Sequence, residues 1–161
     1  MTIDLESNSS TLKSAFVAEL YGAVISSEAA WEAVKTHVSA QEHERAADAL
    51  VAVEKAKAQA LRPLLTARGI EIDEQAARDR GRGWGALYPQ VENWRQFWTG
   101  WIPSTEPWLR GMEFLQSISD EDDRTGVSSL IRYEECLLDF ARLESTGADG
   151  GTALLESVIS E

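Results

Sequence analysis

The chain has 161 residues, with 27 acidic and 15 basic side chains, a formal net charge of −12 and 43% hydrophobic residues. This length and composition predict one globular domain over residues 1–161. The acidic balance excludes general binding to nucleic-acid phosphates, because like charges repel. The single cysteine, Cys136, excludes an internal disulfide and favours a cytoplasmic location. The polar start is unlike a secretory signal, and no apolar run is long enough to suggest a membrane partner.

Apolar residues recur at spacings of three and four along most of the chain, which predicts an all-α protein. The first helix is predicted over about residues 10–38, after a flexible N-terminus of residues 1–9. A capping box of Ser39 and Glu42 predicts the start of the second helix. This helix is expected to end at Gly69, because glycine readily adopts the left-handed conformation that closes a helix.

Residues 69–92 are predicted to form a crossover between two pairs of helices. The charged beginning of this stretch is compatible with a short helix. Three closely spaced glycines then predict irregular backbone: Gly81, Gly83 and Gly85. These glycines lack the lysine and the preceding strand of a phosphate-binding loop, so a plain connection between helices is expected.

The second half of the chain predicts two more long helices and a short terminal one. The third helix carries an aromatic stripe of Trp94, Phe97, Trp98 and Trp101, and Pro103 is expected to break it. The fourth helix is predicted to begin near Ser119, and a short helix is predicted over residues 154–159. Two antiparallel hairpins joined by a crossover predict a four-helix bundle.

Two carboxylates interrupt the apolar faces of these helices. Glu54 lies between Leu50 and Leu61 on the second helix, and Glu134 has a similar position on the fourth. A buried carboxylate needs a partner, a metal or a proton. Lys57 lies one turn from Glu54, where ion pairs form, and could supply the positive charge.

Inward carboxylates can hold two metal ions in a four-helix bundle, with Glu-x-x-His motifs on two of the helices. In this chain Lys57 and Leu137 stand where the two histidines would be. Ala23 faces the site from the first helix in the predicted hairpin. His37 and His43 lie near the tip of that hairpin, away from the middle of the bundle. The metal motif is therefore incomplete.

The chain resembles the ferritin-like superfamily, and in particular its small bacterial members of about this length. With the aromatic segment, the stretches that carry the resemblance cover most of the chain: residues 18–31, 53–65 and 132–144. The resemblance implies a ferritin-like antiparallel four-helix bundle with a broken third helix and a short C-terminal helix. Members of the superfamily bind two irons that activate oxygen, or store iron. By position, the resemblance implies metal-binding slots at Glu54 and Glu134.

The preferred hypothesis is a cytoplasmic protein that binds a small, largely apolar molecule inside the bundle, with no metal cofactor. It could be a metal-free enzyme derived from metal-binding relatives. Its catalytic or polar contacts would be Glu54, Glu134 and Tyr133. The other candidate binding residues are Trp94, Trp98, Trp101, Tyr21 and Lys57.

Two alternatives stay open. The first is a non-haem di-iron oxidoreductase, for which the candidate ligands are Glu19, Glu28, Glu54, Glu134 and Glu135. The second is a structural or dimerisation module without a site. In that case the tryptophans fill the core or form the face of a homodimer, because indoles anchor interfaces.

Overall fold

The computed structural model describes residues 5–38, 40–88 and 94–160, and in these ranges it contains helices and no strand. The prediction of an all-α protein is therefore confirmed. The described ranges contain six helices: α1 (Leu5–Lys35), α2 (Gln41–Arg68), α3 (Glu74–Gly85), α4 (Trp94–Ser117), α5 (Glu121–Thr146) and α6 (Gly151–Ile159). None of the described helices combines the length and the apolar character that a bilayer-spanning segment needs.

The helices pack around two apolar clusters. Helix α1 packs against α2 and α3, α4 packs against α5, and α2 contacts both α5 and α6. The Trp98 cluster includes Trp98 and Phe140, whereas the Met112 cluster includes Met112 and Leu61. Each cluster takes side chains from α1, α2, α4 and α5, so these four long helices share one interior.

The ends of the first two helices agree only in part with the sequence pattern. Helix α1 begins at Leu5, inside the stretch predicted to be a flexible N-terminus, and residues 1–4 lie outside the described ranges. The predicted cap Ser39 also lies outside them. Helix α2 ends as predicted, because Gly69 has a φ of 60° and its amide donates to the carbonyl of Thr66.

The glycine-rich stretch is helical, so the expectation of irregular backbone there is wrong. Gly81 and Gly85 are one turn apart on the face of α3 that packs against α1. A Cβ on Gly81 would collide with the backbone carbonyl of Ser26, and one on Gly85 would lie 2.5 Å from the carbonyl oxygen of Ala30. These glycines therefore permit a close approach of two helices.

The predicted break in the third long helix is also absent. Helix α4 continues through Pro103 and Pro107, both of which are exposed. A proline removes one amide donor, and at an exposed position water can bond the carbonyl that is left free. At the other end of the chain α6 confirms the short terminal helix, which packs against α2 and α5.

Candidate functional site

A layer of buried charged side chains separates the two apolar clusters. It consists of Glu28 on α1, Glu54 and Lys57 on α2, and Glu134 on α5, and we call it the polar layer. On α2 the residues before Glu54 belong to the Trp98 cluster, and those after Lys57 belong to the Met112 cluster. The layer therefore lies at mid-length of the long helices, between two dry halves of the core.

Lys57 connects the carboxylates of two helices. Its Nζ lies 2.7 Å from Glu134 Oε2 in an ion pair, and it donates a hydrogen bond to Glu54 Oε1 at 3.3 Å. The three side chains are each no more than 5% exposed. The pairing of Lys57 with Glu54 that the sequence suggested is present, and it extends across the interior to Glu134.

The protonation of this triad follows from its burial. Burial raises the pKa of Glu54 to about 7, and Lys57 opposes this rise while the negative charge of Glu134 adds to it. Burial alone would lower the pKa of Lys57, but the carboxylates of Glu134 and Glu54 outweigh it and raise that pKa. Near neutral pH, Lys57 is therefore charged, and Glu54 is protonated in some molecules and ionised in others.

Glu28 has its own counter-ion. Arg78 on α3 donates a hydrogen bond from Nη1 to Glu28 Oε1 at 3.1 Å. This pair is neutral in sum. With all groups ionised, the remaining triad has two carboxylates and one ammonium, so it carries one unbalanced negative charge. Glu54 Oε2 is buried and has no hydrogen-bond partner among the described residues.

A cavity of about 110 Å³ reaches the polar layer. Its charged floor is formed by Glu54, Lys57 and Glu134. Apolar side chains from α1, α4 and α5 form its walls, among them Leu20, Val24, Met112 and Leu137. A mostly apolar cavity with a few convergent polar groups has the composition of a small-molecule site.

The mouth of the cavity lies between α1 and α4. The lining residues there are partly or well exposed, in contrast to the buried floor: Ala23, Ser27, Trp101, Ser104 and Trp108. Two half-buried indoles thus flank the opening. A ligand could enter between these helices without separating the two apolar clusters.

The hydroxyl groups on α4 leave acceptors in the cavity. Ser104 Oγ donates to the carbonyl oxygen of Trp101 at 2.6 Å, and Thr105 Oγ1 donates to the same oxygen at 3.4 Å. Each hydroxyl has a single hydrogen, so each oxygen can only accept a further bond. With Glu54 Oε2, the cavity offers more acceptors than donors.

Four of the candidate residues therefore meet at the cavity: Glu54, Lys57, Glu134 and Trp101. Trp94 and Trp98 lie elsewhere, in the Trp98 cluster. Trp98 is fully buried and stacks on Trp31 with ring centroids 5.3 Å apart. Trp94 stacks on His43 and donates a hydrogen bond to Glu144. Both tryptophans have structural contacts away from the polar layer.

The two candidate tyrosines also lie away from the cavity. Tyr21 donates a hydrogen bond to Glu74 Oε1 at 2.5 Å, and burial together with this contact raises its pKa to about 12. Tyr133 is adjacent to Glu134 in sequence but packs against the Trp98 cluster. The guanidinium of Arg132 lies 5.7 Å from the centroid of its ring. Neighbouring helix positions face different directions, which explains why Tyr133 does not accompany Glu134.

Sequence reasoning missed the contribution of α4 to the cavity. Thr105 is only 1% exposed and lies between Trp101 and Trp108 on the inward face of the helix. The spacing of Trp101, Thr105, Trp108 and Met112 is helical and could have shown this face. The expected break at Pro103 concealed it, because it divided one continuous stripe into two.

The five candidate metal ligands do not converge. Glu19 and Glu135 are exposed, whereas Glu28 is paired with Arg78. Lys57 Nζ lies between Glu54 and Glu134, where a bridging metal ion would be held. In the described ranges no group of three or more His, Cys, Asp or Glu side chains is placed to hold a metal ion. The residues present thus do not fit a di-iron centre with this ligand set.

Comparison of the chain with protein-family models, with curated proteins and with solved structures found no match. A fold alone does not imply a function, which depends on the geometry and chemistry of the site.

Proposed function

We propose that α1, α2, α4 and α5 form a ferritin-like four-helix bundle whose interior cavity binds a small, largely apolar molecule. The support for the architecture is that these four helices line one cavity and share both apolar clusters. The support for binding is the combination of apolar walls, a charged floor and an open mouth. The cytoplasm is the expected location, since the chain has a single cysteine.

The observation that carries this proposal is the charged floor of the cavity. Burying an ion pair costs desolvation free energy, and well-packed apolar residues are often equally stabilising in its place. Here the buried charges lie against an open cavity, and one oxygen of Glu54 has no partner in the described structure. A ligand that bonds this oxygen accounts for both features.

The size of the cavity limits the ligand. An apolar cavity of about 150 Å³ is known to hold benzene, and ordinary ligand pockets are several times larger. A cavity of about 110 Å³ therefore takes a group somewhat smaller than benzene. A longer molecule would have to extend through the mouth between α1 and α4.

Glu54 is the residue that would act on a reactive ligand. Its pKa of about 7 lets it give or take a proton near neutral pH. Lys57, held in its charged form, would stabilise negative charge that develops on the ligand. In this proposal the protein is a binding protein or a metal-free enzyme, and Glu54 and Lys57 are the groups that touch the ligand.

Filling the cavity tests this proposal. We expect n-butanol or n-butylammonium to bind the wild-type protein, and binding to be lost in Ala23→Leu, because Ala23 lies at the mouth. The measurement is a titration followed by tryptophan fluorescence and by chemical-shift changes. Ala15→Leu is the matched control, since Ala15 is exposed on the same helix.

Two outcomes would overturn the proposal. One is that neither probe binds the wild-type protein, which would favour a structural or dimerisation module. The other is that binding survives in Ala23→Leu with unchanged affinity, which would place the probe elsewhere.

A di-iron oxidoreductase is the second candidate, favoured by the convergence of Glu54 and Glu134 from two helices. It requires Lys57 to move out from between these carboxylates. Metal analysis of protein purified without chelator separates the candidates. Two irons per chain, lost in Glu54→Ala, would replace the proposal made above.

A further inference from the structure

The ligand class can be narrowed by the charge of the cavity floor. Resting on the proposed function, we infer that the cavity binds a small primary ammonium ion, with its charged group against Glu54 and its hydrocarbon part between the apolar walls. Three independent properties of the site point to this class: its charge balance, its hydrogen-bonding groups and its aromatic mouth.

The charge balance favours a cation. The charged groups around Glu54 are Lys57 on the same helix, Glu134 on α5, and the neutral pair of Glu28 on α1 with Arg78 on α3. The residues with which α4 lines the cavity are uncharged. Ionised together, these groups carry one excess negative charge. A buried charge is costly unless it is paired, so the site gains most from a ligand that brings a positive charge.

The hydrogen-bonding groups favour a ligand that only donates. Glu54 Oε2 has no partner in the described structure, and the hydroxyls of Ser104 and Thr105 have committed their hydrogens to the carbonyl of Trp101. A primary ammonium carries three donors and no acceptor. It can therefore donate to Glu54 Oε2 without bringing an acceptor of its own that would be left unpaired.

The mouth and the whole chain are suited to a cation as well. Trp101 and Trp108 flank the opening, so a cation that enters passes their indole rings and is attracted by the ring quadrupole on its way to Glu54. The net charge of −12 attracts cations over longer distances. A carboxylate ligand would instead add a third negative charge beside Glu54 and Glu134. A neutral alcohol would occupy an acceptor but leave the charge unbalanced.

Three probes of similar shape test the inference: n-butylammonium, n-butanol and butyrate. Calorimetry and chemical-shift titration should show that the ammonium binds roughly tenfold or more tighter than the alcohol, because hydrogen bonds to charged groups are the stronger ones. Butyrate should not bind measurably. These titrations are run at one fixed concentration of potassium chloride. In a separate titration potassium chloride is varied against bound n-butylammonium, and displacement by potassium ions at the same concentration as by n-butylammonium itself would overturn the inference.

Glu54→Gln should remove the preference for the ammonium over the alcohol. The matched control is Glu135→Gln, which changes an exposed carboxylate on α5 and should leave the preference intact. Thermal melts of both variants establish that they are folded. A preference that persists in folded Glu54→Gln would overturn the inference.

The wild-type protein provides a test that needs no variant. Affinity for n-butylammonium, which stays charged throughout, should increase as the pH rises through about 7, whereas affinity for n-butanol should not. If the alcohol binds as tightly as the ammonium, this inference fails but the proposed function stands. If no probe binds, the proposed function itself fails.

Discussion

At the scale of single residues, the unusual feature is a carboxylate kept in the core with an incomplete set of partners. Glu54 is 2% exposed, bonds Lys57 through one oxygen, and has no partner for the other in the described structure. Because desolvation disfavours its charged form, its proton is held more tightly in the folded protein than in the unfolded chain. The stability of the protein must then depend on pH.

We predict that Glu54 makes the protein less stable as the pH rises. Its pKa is 4.5 as a free side chain and about 7 when folded, so its contribution is complete below pH 4.5 and is lost as the pH rises to about 7. Relative to Glu54→Gln, the free energy of unfolding of the wild type should fall by up to about 3 kcal/mol over this range.

Urea unfolding between about pH 5 and 8 measures this difference directly. The Glu135→Gln control should run parallel to the wild type at every pH, because this carboxylate is exposed. Parallel curves for Glu54→Gln and wild type would show that Glu54 titrates normally in the folded protein.

We also predict that Lys57→Met is strongly destabilising. It removes the counter-charge of two buried carboxylates, and breaking a buried pair in this way costs about 3–5 kcal/mol. Lys55→Met is the control, because the exposed pair of Lys55 with Glu32, 3.7 Å apart, should be worth less than about 1 kcal/mol. Similar small losses in both variants by urea unfolding would contradict the role given to Lys57.

At the scale of the elements, the close packing of α3 against α1 depends on two glycines that have no Cβ. Gly81 and Gly85 lie against the backbone of α1, while Gly83 has no atom within 4 Å of where its Cβ would be. Glycine lowers helix stability in isolation, so its presence here is explained by packing at two positions and remains unexplained at the third.

Replacing glycine by alanine is therefore predicted to change the free energy of unfolding in opposite directions at different positions of α3. Gly81→Ala should destabilise the protein by about 1–3 kcal/mol, because the added methyl group meets the backbone of Ser26. Gly83→Ala should stabilise it by up to about 1 kcal/mol, because the position is exposed and helical. Thermal and urea unfolding measure both. A loss of stability in Gly83→Ala would show that α3 needs flexibility at this point.

Helix α4 shows why element boundaries were hard to predict. The sequence pattern placed a break at Pro103, because proline lacks an amide and disrupts the preceding turn. Pro103 and Pro107 are both exposed, so the helix tolerates them and keeps one inward stripe from Trp94 to Leu115. Each proline does remove one backbone hydrogen bond, but burial of the inward side chains of α4 outweighs this loss and keeps the helix continuous.

At the scale of the whole molecule, the site is defined by the way apolar and charged side chains succeed one another along the long helices. Two apolar clusters occupy the halves of the interior, and the polar layer with its cavity lies between them. The sequence predicted the position of the polar layer on α2 and α5, since Glu54 and Glu134 interrupt the apolar faces of these helices. On α1 it predicted Ala23 opposite the site, and Ala23 lines the cavity.

Part of this result follows from the amino-acid sequence alone. An acidic chain with helical periodicity, two inward carboxylates and one lysine a turn away specifies an all-α protein with a buried charge to balance, because periodicity and burial are local properties of each helix. Only the tertiary structure decided that Lys57 also reaches Glu134, and that Trp101, Ser104 and Thr105 join the same cavity. The rotation and separation of packed helices set these contacts, and no single helix encodes them.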